Sequence, residues 1–136
     1  MVDPADLPEH MRVCPIETAV QYVGKKWAVN IIRDLFLGKN RFSQFLHSNP
    51  DLSTKMLSAR LKDLERNGFI TKRVVSTSPL YVEYSLTNKG RALNGILLEL
   101  AVFSFRYCAS EVYTRPPITI DRDILLMKKV LKISSA

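Results

Sequence analysis

The sequence predicts a mainly helical α+β domain, and three observations predict it. Apolar residues recur at helical spacing through a first half that glycine and proline cut into short lengths. Two short runs rich in β-branched and aromatic residues follow, "FITKRVV" and "LYVEYSL". A long apolar helical stretch comes after them. A chain of 136 residues is a single-domain length and can bury a core without disulfide staples. One domain is therefore expected over residues 1–136. An irregular arm spans 1–13, a compact core 14–87, a hairpin about 70–86, and a long helix with a C-terminal segment 88–136.

Each element has its own signal. Pro15 suits the first position of a helix, which makes Cys14 the cap, and "PIETAVQYV" ends near Gly24. "KKWAVNIIRDLFLG" reads as a second helix, with Trp27, Ile31, Ile32, Leu35 and Phe36 at helical spacing and Gly38 as the stop. "RFSQFLHS" is a short third helix closed by Asn49-Pro50. Ser53 is a good N-cap for a fourth, in which Leu57, Leu61 and Leu64 form one stripe. Asn67-Gly68 ends it, because glycine accepts the left-handed conformation there. "STSP" is a turn between two strands. In the second strand Leu80, Val82, Tyr84 and Leu86 face one way, and Tyr81, Glu83 and Ser85 the other. Thr87 then caps the long helix "NKGRALNGILLELAVFSFRYCAS", and "DRDILLMKKVLKI" reads as a last one.

Composition narrows the class. Hydrophobic content of 46% and charged content of 24% are ordinary for a globular protein. No apolar run is long enough to span a bilayer, so no membrane is expected. The N-terminus lacks the basic and apolar regions of a signal peptide, so a cytoplasmic location is expected. Two cysteines are too few for a disulfide framework. Residues 25–73 hold 11 lysines and arginines against four acidic residues, which is the whole net charge of +7. A field concentrated in this way suits a polyanion, although a basic solvated surface has the same composition.

Four helices followed at once by a hairpin and a long helix is the order of a winged helix–turn–helix with a long C-terminal dimerisation helix. In that motif the second helix of the pair enters the DNA major groove. The residues then look familiar. "CPIETAVQYVGKKWAVNIIRDLFLGKNRFSQF", "LSTKMLSARLKDLERNGFITKRV" and "SPLYVEYSLTNKGRAL" resemble the HxlR-type transcription regulators, relatives of the MarR group. Cys14-Pro15, Gly24-Lys25-Lys26-Trp27, Gly38, Arg41-Phe42, Leu57, Arg60-Leu61, Leu64, Gly68, Val82-Glu83-Tyr84, Leu86-Thr87 and Gly90 carry the resemblance. It covers about residues 14–95 in order, and the tail after Tyr113 is not matched. The resemblance implies a homodimeric regulator that binds duplex DNA.

The expected contacts follow. Lys55, Ser58, Ala59 and Lys62 face away from the leucine stripe; small residues let the backbone approach the groove, and lysines reach bases or phosphates. Ser53 and Thr54 sit at the helix N-terminus, where hydroxyls and backbone N–H groups suit a phosphate. Arg60 lies beside the stripe, either bracing the helix or touching a phosphate. Lys72, Arg73, Ser76, Thr77 and Ser78 belong to the wing, unless the hairpin is an ordinary exposed turn. Arg41 and Lys39 are further phosphate candidates, with Lys25 and Lys26 behind them.

The long helix is apolar on almost all sides, which one chain's surface cannot hide. Leu93, Ile96, Leu97, Leu100, Phe103 and Tyr107 are the expected dimer contacts, with burial by the C-terminal segment as the rival explanation. A two-fold dimer would set two reading helices about one DNA turn apart on a pseudo-palindrome. Cys14, at a helix N-terminus and near Arg12, has surroundings that favour a thiolate. The resemblance implies a cysteine that senses oxidants, quinones or aldehydes; the alternative is a structural cap. Cys108 is expected to be buried, and a Cys14–Cys108 disulfide is left open. His10 and His47 have no metal-ligand spacing with the cysteines, and no nucleophile–base pair, P-loop or dinucleotide fingerprint occurs. Neither an enzyme nor a metal or cofactor is expected. Two rivals remain: a winged helix that docks an acidic protein, and a regulator controlled by a small ligand with Cys14 only structural.

Overall fold

A computed structural model describes residues 4–6, 8–115 and 119–133. After a short 3-10 turn at Pro4–Asp6 come helices α1 (Pro15–Val23), α2 (Ala28–Phe36), α3 (Phe42–Ser48) and α4 (Thr54–Arg66). An antiparallel hairpin follows, β1 (Ile70–Thr77) and β2 (Leu80–Leu86). Then come α5 (Asn88–Arg91), α6 (Asn94–Tyr107), α7 (Ala109–Val112) and α8 (Ile120–Val130). The α3–turn–α4 pair with the hairpin directly behind it is the winged helix–turn–helix that the sequence predicts.

One core joins these elements. Ile31, Ile32 and Phe36 from α2, Phe45 from α3, and Leu57, Leu61 and Leu64 from α4 meet Phe69, Ile70, Tyr84, Leu98 and Leu131. The leucine stripe of α4 is therefore its inner face, as its spacing implies. Ser53 caps α4 by accepting from the Met56 amide (3.1 Å), and Thr87 caps α5 by accepting from the Gly90 amide (3.1 Å). Gly68 has φ +82°, the left-handed turn that lets the chain leave α4 for β1. Gly90 is required for space instead: a Cβ there would run into the Phe69 carbonyl oxygen.

Two helices differ from expectation. The second starts at Ala28, not Lys25, because Trp27 adopts φ +76° and turns the chain sharply before the helix. The long helix is broken into α5, α6 and α7. At the first break the Asn94 side chain accepts from the Gly95 amide (2.8 Å) and donates to the Leu131 carbonyl (3.2 Å). Such local side-chain bonds compete with helical ones. The strands also run closer to the turn than "STSP" suggests, leaving only Ser78-Pro79 between them, joined by a cis peptide bond.

Beyond the hairpin, α8 lies along α6; Met127 from α8, and Leu131 and Ile133 just after it, pack against the core. The Tyr113 hydroxyl donates to Asp123 Oδ2 (2.5 Å), and the Tyr113 ring stacks on Phe105, which links α8 to the end of α6. Burial and the neighbouring Asp123 push the Tyr113 phenol up to about 12. No helix among the described residues is long and apolar enough to cross a membrane.

Candidate nucleic-acid interface

The outward side of α4 carries the chemistry. Ser53, Thr54, Lys55, Ala59 and Lys62 are exposed, and Ser58 is half-buried. With the leucines turned inward, nothing among the described residues buries this side. A cleft of about 490 Å³ separates α4 from the wing and gathers Arg41, Ser58, Lys62 and Lys72 around a floor of Leu61 and Tyr84. Arg41, at the N-cap of α3, lies over the Tyr81 ring (4.1 Å to the centroid), so a side chain from one element is steadied by another. Burial, and less so the charge of Glu65, raises the Tyr84 phenol above its ordinary value.

Some candidate residues are already engaged within the chain. Arg60 is a brace: its Nε donates to the Lys26 carbonyl (2.8 Å) and its guanidinium pairs with Asp63 (3.0 Å). Its side chain is only 12% exposed, so the structure places Arg60 in the bracing role of the two that the sequence allows. The carbonyl it holds immediately precedes the left-handed Trp27, so Arg60 fastens α4 to the α1–α2 corner. Lys25 also approaches Asp63 (3.6 Å), and Lys26 lies over the Trp27 ring. Lys39 donates to the Ser48 hydroxyl (2.6 Å). On the wing, Arg73 faces Glu83 across the hairpin and bonds it (3.0 Å), while Lys72 has no such partner among the described residues. That bond, and a second from the Tyr81 hydroxyl, hold the Glu83 carboxyl below its usual value. Thr77 and Ser78 are exposed at the wing tip, and the Ser76 hydroxyl accepts from the Ser78 amide.

On α6, the expected dimer residues divide into two sets. Leu93 and Leu97 turn into their own core, where α8 helps to cover α6. Ile96, Leu100, Phe103 and Tyr107 remain 40%, 50%, 57% and 77% exposed. Their spacing of four, three and four residues makes one stripe along α6. The exposed Ile16 and Val20 form a second, smaller apolar face on α1.

Cys14 occupies the N-cap of α1 and is buried, with a free thiol that makes no capping hydrogen bond. Its carbonyl accepts the first bond of the helix, from the Thr18 amide, and a second from the Thr18 hydroxyl (both 3.1 Å). Cys108 is also free, at the junction of α6 and α7, and is partly exposed instead of buried. No group of three or more His, Cys, Asp or Glu side chains among the described residues could hold a metal ion.

Sequence reasoning passed over a polar cluster between α2 and the end of α3. Asp34 on α2 is 0% exposed and Asn49 closes α3; both are buried and bonded to each other. The signal was present: an aspartate set among Ile31, Ile32, Leu35 and Phe36 must be partnered inside the fold. Lys89 was passed over as well. It lies over Phe69 and Tyr22 and donates to the Asn67 carbonyl at the end of α4 (2.7 Å).

The pair of helices, the wing behind them and the uncovered polar side of α4 define a helix–turn–helix DNA-binding regulator. The chain belongs to the HxlR-like helix-turn-helix family, whose model matches residues 22–112. It is 40% identical over 88 residues to an uncharacterised HTH-type transcriptional regulator of Synechocystis, covering 65% of each chain. It is 37% identical over 97 residues to the HTH-type transcriptional regulator YodB of Bacillus subtilis, covering 71% of this chain and 87% of YodB. The reduced form of YodB superposes with a TM-score of 0.59 at 34% identity, over 71% of this chain and 95% of that one. YodB has also been solved diamide-treated and quinone-bound. The redox regulator HypR in its reduced form superposes with a TM-score of 0.66 at 29% identity, over 74% of this chain and all of that one.

Proposed function

We propose that this regulator binds a pseudo-palindromic duplex operator as a homodimer and changes its affinity when Cys14 is oxidised or alkylated. One observation carries the DNA half. The uncovered side of α4 and the cleft beside it concentrate Lys55, Lys62, Arg41 and Lys72, with few acids to neutralise them. Ser53, Thr54, Ser58 and Ala59 then lie against the groove, and Thr77 and Ser78 of the wing against the backbone. The α6 stripe is the dimer contact; it would place two α4 helices on successive turns of one DNA face.

Cys14 supports the second half. It is a free thiol at the positive end of a helix. Its helix carries the exposed Ile16 and Val20, so a change at residue 14 is felt next to an unpartnered apolar face. YodB, solved with diamide and with a quinone, and the redox regulator HypR share this fold. A small electrophile or oxidant is the proposed effector.

Selection of genomic fragments by the purified protein, followed by footprinting, tests the operator. Protection of an inverted repeat is expected; uniform capture of all fragments contradicts it. Comparing DNA affinity before and after diamide or a quinone tests the sensor. The wild type should respond and Cys14→Ser should not. Equal responses remove Cys14 from that role.

A further inference from the structure

The sharp corner between α3 and α4 is held from behind by a saturated polar lock. Asn49 sits at that corner, with φ −129° and ψ 79°, and its carbonyl accepts from the Leu52 amide as the chain turns toward α4 (2.9 Å). Its side chain has no unused bonding capacity. Nδ2 donates to Asp34 Oδ2 (3.0 Å) and to the Phe45 carbonyl (2.8 Å). Oδ1 accepts from Arg33 Nη2 (3.1 Å) and from Asn30 Nδ2 (3.4 Å). The other Asp34 oxygen takes Arg33 through Nε (3.1 Å) and Nη2 (2.8 Å). Asp34 and Asn49 are 0% and 4% exposed, so the bonds from Asn49 Nδ2 to Asp34 and to the Phe45 carbonyl are made where water cannot replace them.

The geometry points to Asp34 and Asn49 as positioning residues for DNA recognition: they fix the angle at which α4 leaves α3, and hence the aim of Lys55, Ser58 and Lys62. The apolar core does not supply this. Leucine contacts set how close α4 lies but tolerate rotation, whereas directed bonds at the corner do not. The inference rests on the proposed DNA reading, because aim matters only if α4 reads bases.

The bond pattern makes a reciprocal test available. In Asp34→Asn, one orientation of the new amide points its NH2 at Asn49 Nδ2 and the other points it at Arg33, so two donors face each other either way. In Asn49→Asp, two carboxylates meet in a dry site. Combined, the exchange restores a donor facing an acceptor between 34 and 49 and leaves a carboxylate for Arg33, but it turns a carboxylate oxygen toward the Phe45 carbonyl that Nδ2 bonds in the wild type (2.8 Å), so the recovery is partial.

Two readouts separate aim from mere stability. The first is the ratio of operator affinity to affinity for random duplex, which a falling folded fraction leaves unchanged. Each single variant should lower that ratio about tenfold, the loss of one base contact, and the double variant should regain part of it. The second is amide exchange, which needs no DNA: the Leu52 and Met56 amides at the corner should lose protection while Ile31 and Leu61 keep theirs. If the single variants do not fold, Arg33→Lys, at a partly exposed residue, should lower the ratio severalfold. Unchanged ratios in folded variants, or corner amides that open only together with the core, overturn the inference. If the wild type binds no duplex at all, the DNA reading fails, and the exchange pattern still decides whether the lock holds the corner.

Discussion

The helix–turn–helix unit closes its apolar faces within one chain, whereas the α6 layer leaves one of its own open. In α2, α3 and α4 the apolar faces close on each other, and no buried side-chain nitrogen or oxygen among the described residues lacks a hydrogen-bond partner. What the unit leaves open is polar and cationic. In α6 the side toward α8 is closed, and what remains open is the stripe from Ile96 to Tyr107. A polar open face is stable in water and ready for a polyanion; an apolar one is a cost that association removes. The two regions should therefore fail differently.

The largest effect is expected on α6. Leu100→Glu with Phe103→Glu puts charge into the stripe without touching the core. The chain should stay folded, sediment as a monomer, and lose roughly 10²–10⁴ in operator affinity, because two linked half-sites become one. An unchanged mass would mean that another surface pairs the subunits. In the closed region the same kind of lesion should act on the fold. Phe45→Ala removes a ring with no exposure from the centre of the core and should cost about 3–5 kcal/mol in denaturant unfolding.

Smaller effects sharpen the contrast at the open cationic face. Lys62→Ala and Lys72→Ala should leave thermal stability unchanged. Each should reduce the slope of log affinity against log salt by about 1 if the lysine meets a phosphate. Arg60→Ala should behave as a closed-region variant, lowering stability with no such change in slope, since its guanidinium is spent on Asp63 and the Lys26 carbonyl.

The smallest effect concerns pH at the wing. The Glu83 carboxyl is held below its usual value of 4.5 by Arg73 and then by Tyr81. A depressed folded-state value means the pair supports the hairpin above that pH and stops doing so as pH falls through the folded value. Amide protection in β1 and β2 should therefore fall in acid before that of α2 does. Arg73→Gln should abolish the early loss.

The sequence made the closed region legible because its signals are local. Ser53, Gly68 and Thr87 mark boundaries through their own chemistry, and Leu57, Leu61 and Leu64 declare their face by spacing alone. What it concealed depends on residues far apart in the chain. Trp27 gives no local sign of a left-handed turn, and that turn leaves Arg60 a carbonyl to hold. Asp34 needs Asn49, fifteen residues on, before its burial makes sense. The break near Asn94 involves Leu131, which lies in the segment that the family resemblance does not cover. On α6, periodicity showed that the helix is apolar nearly all round, but not which flank α8 would take; only the fold divides Leu93 and Leu97 from Ile96 and Leu100.

The most direct measurement is a titration of operator duplex with purified protein at two or more salt concentrations, read for affinity and for stoichiometry together. Two chains per duplex, with affinity falling steeply as salt rises, are expected from a basic reading face carried twice by an α6-paired dimer. Binding indifferent to salt, or a single chain saturating a full site, would contradict it.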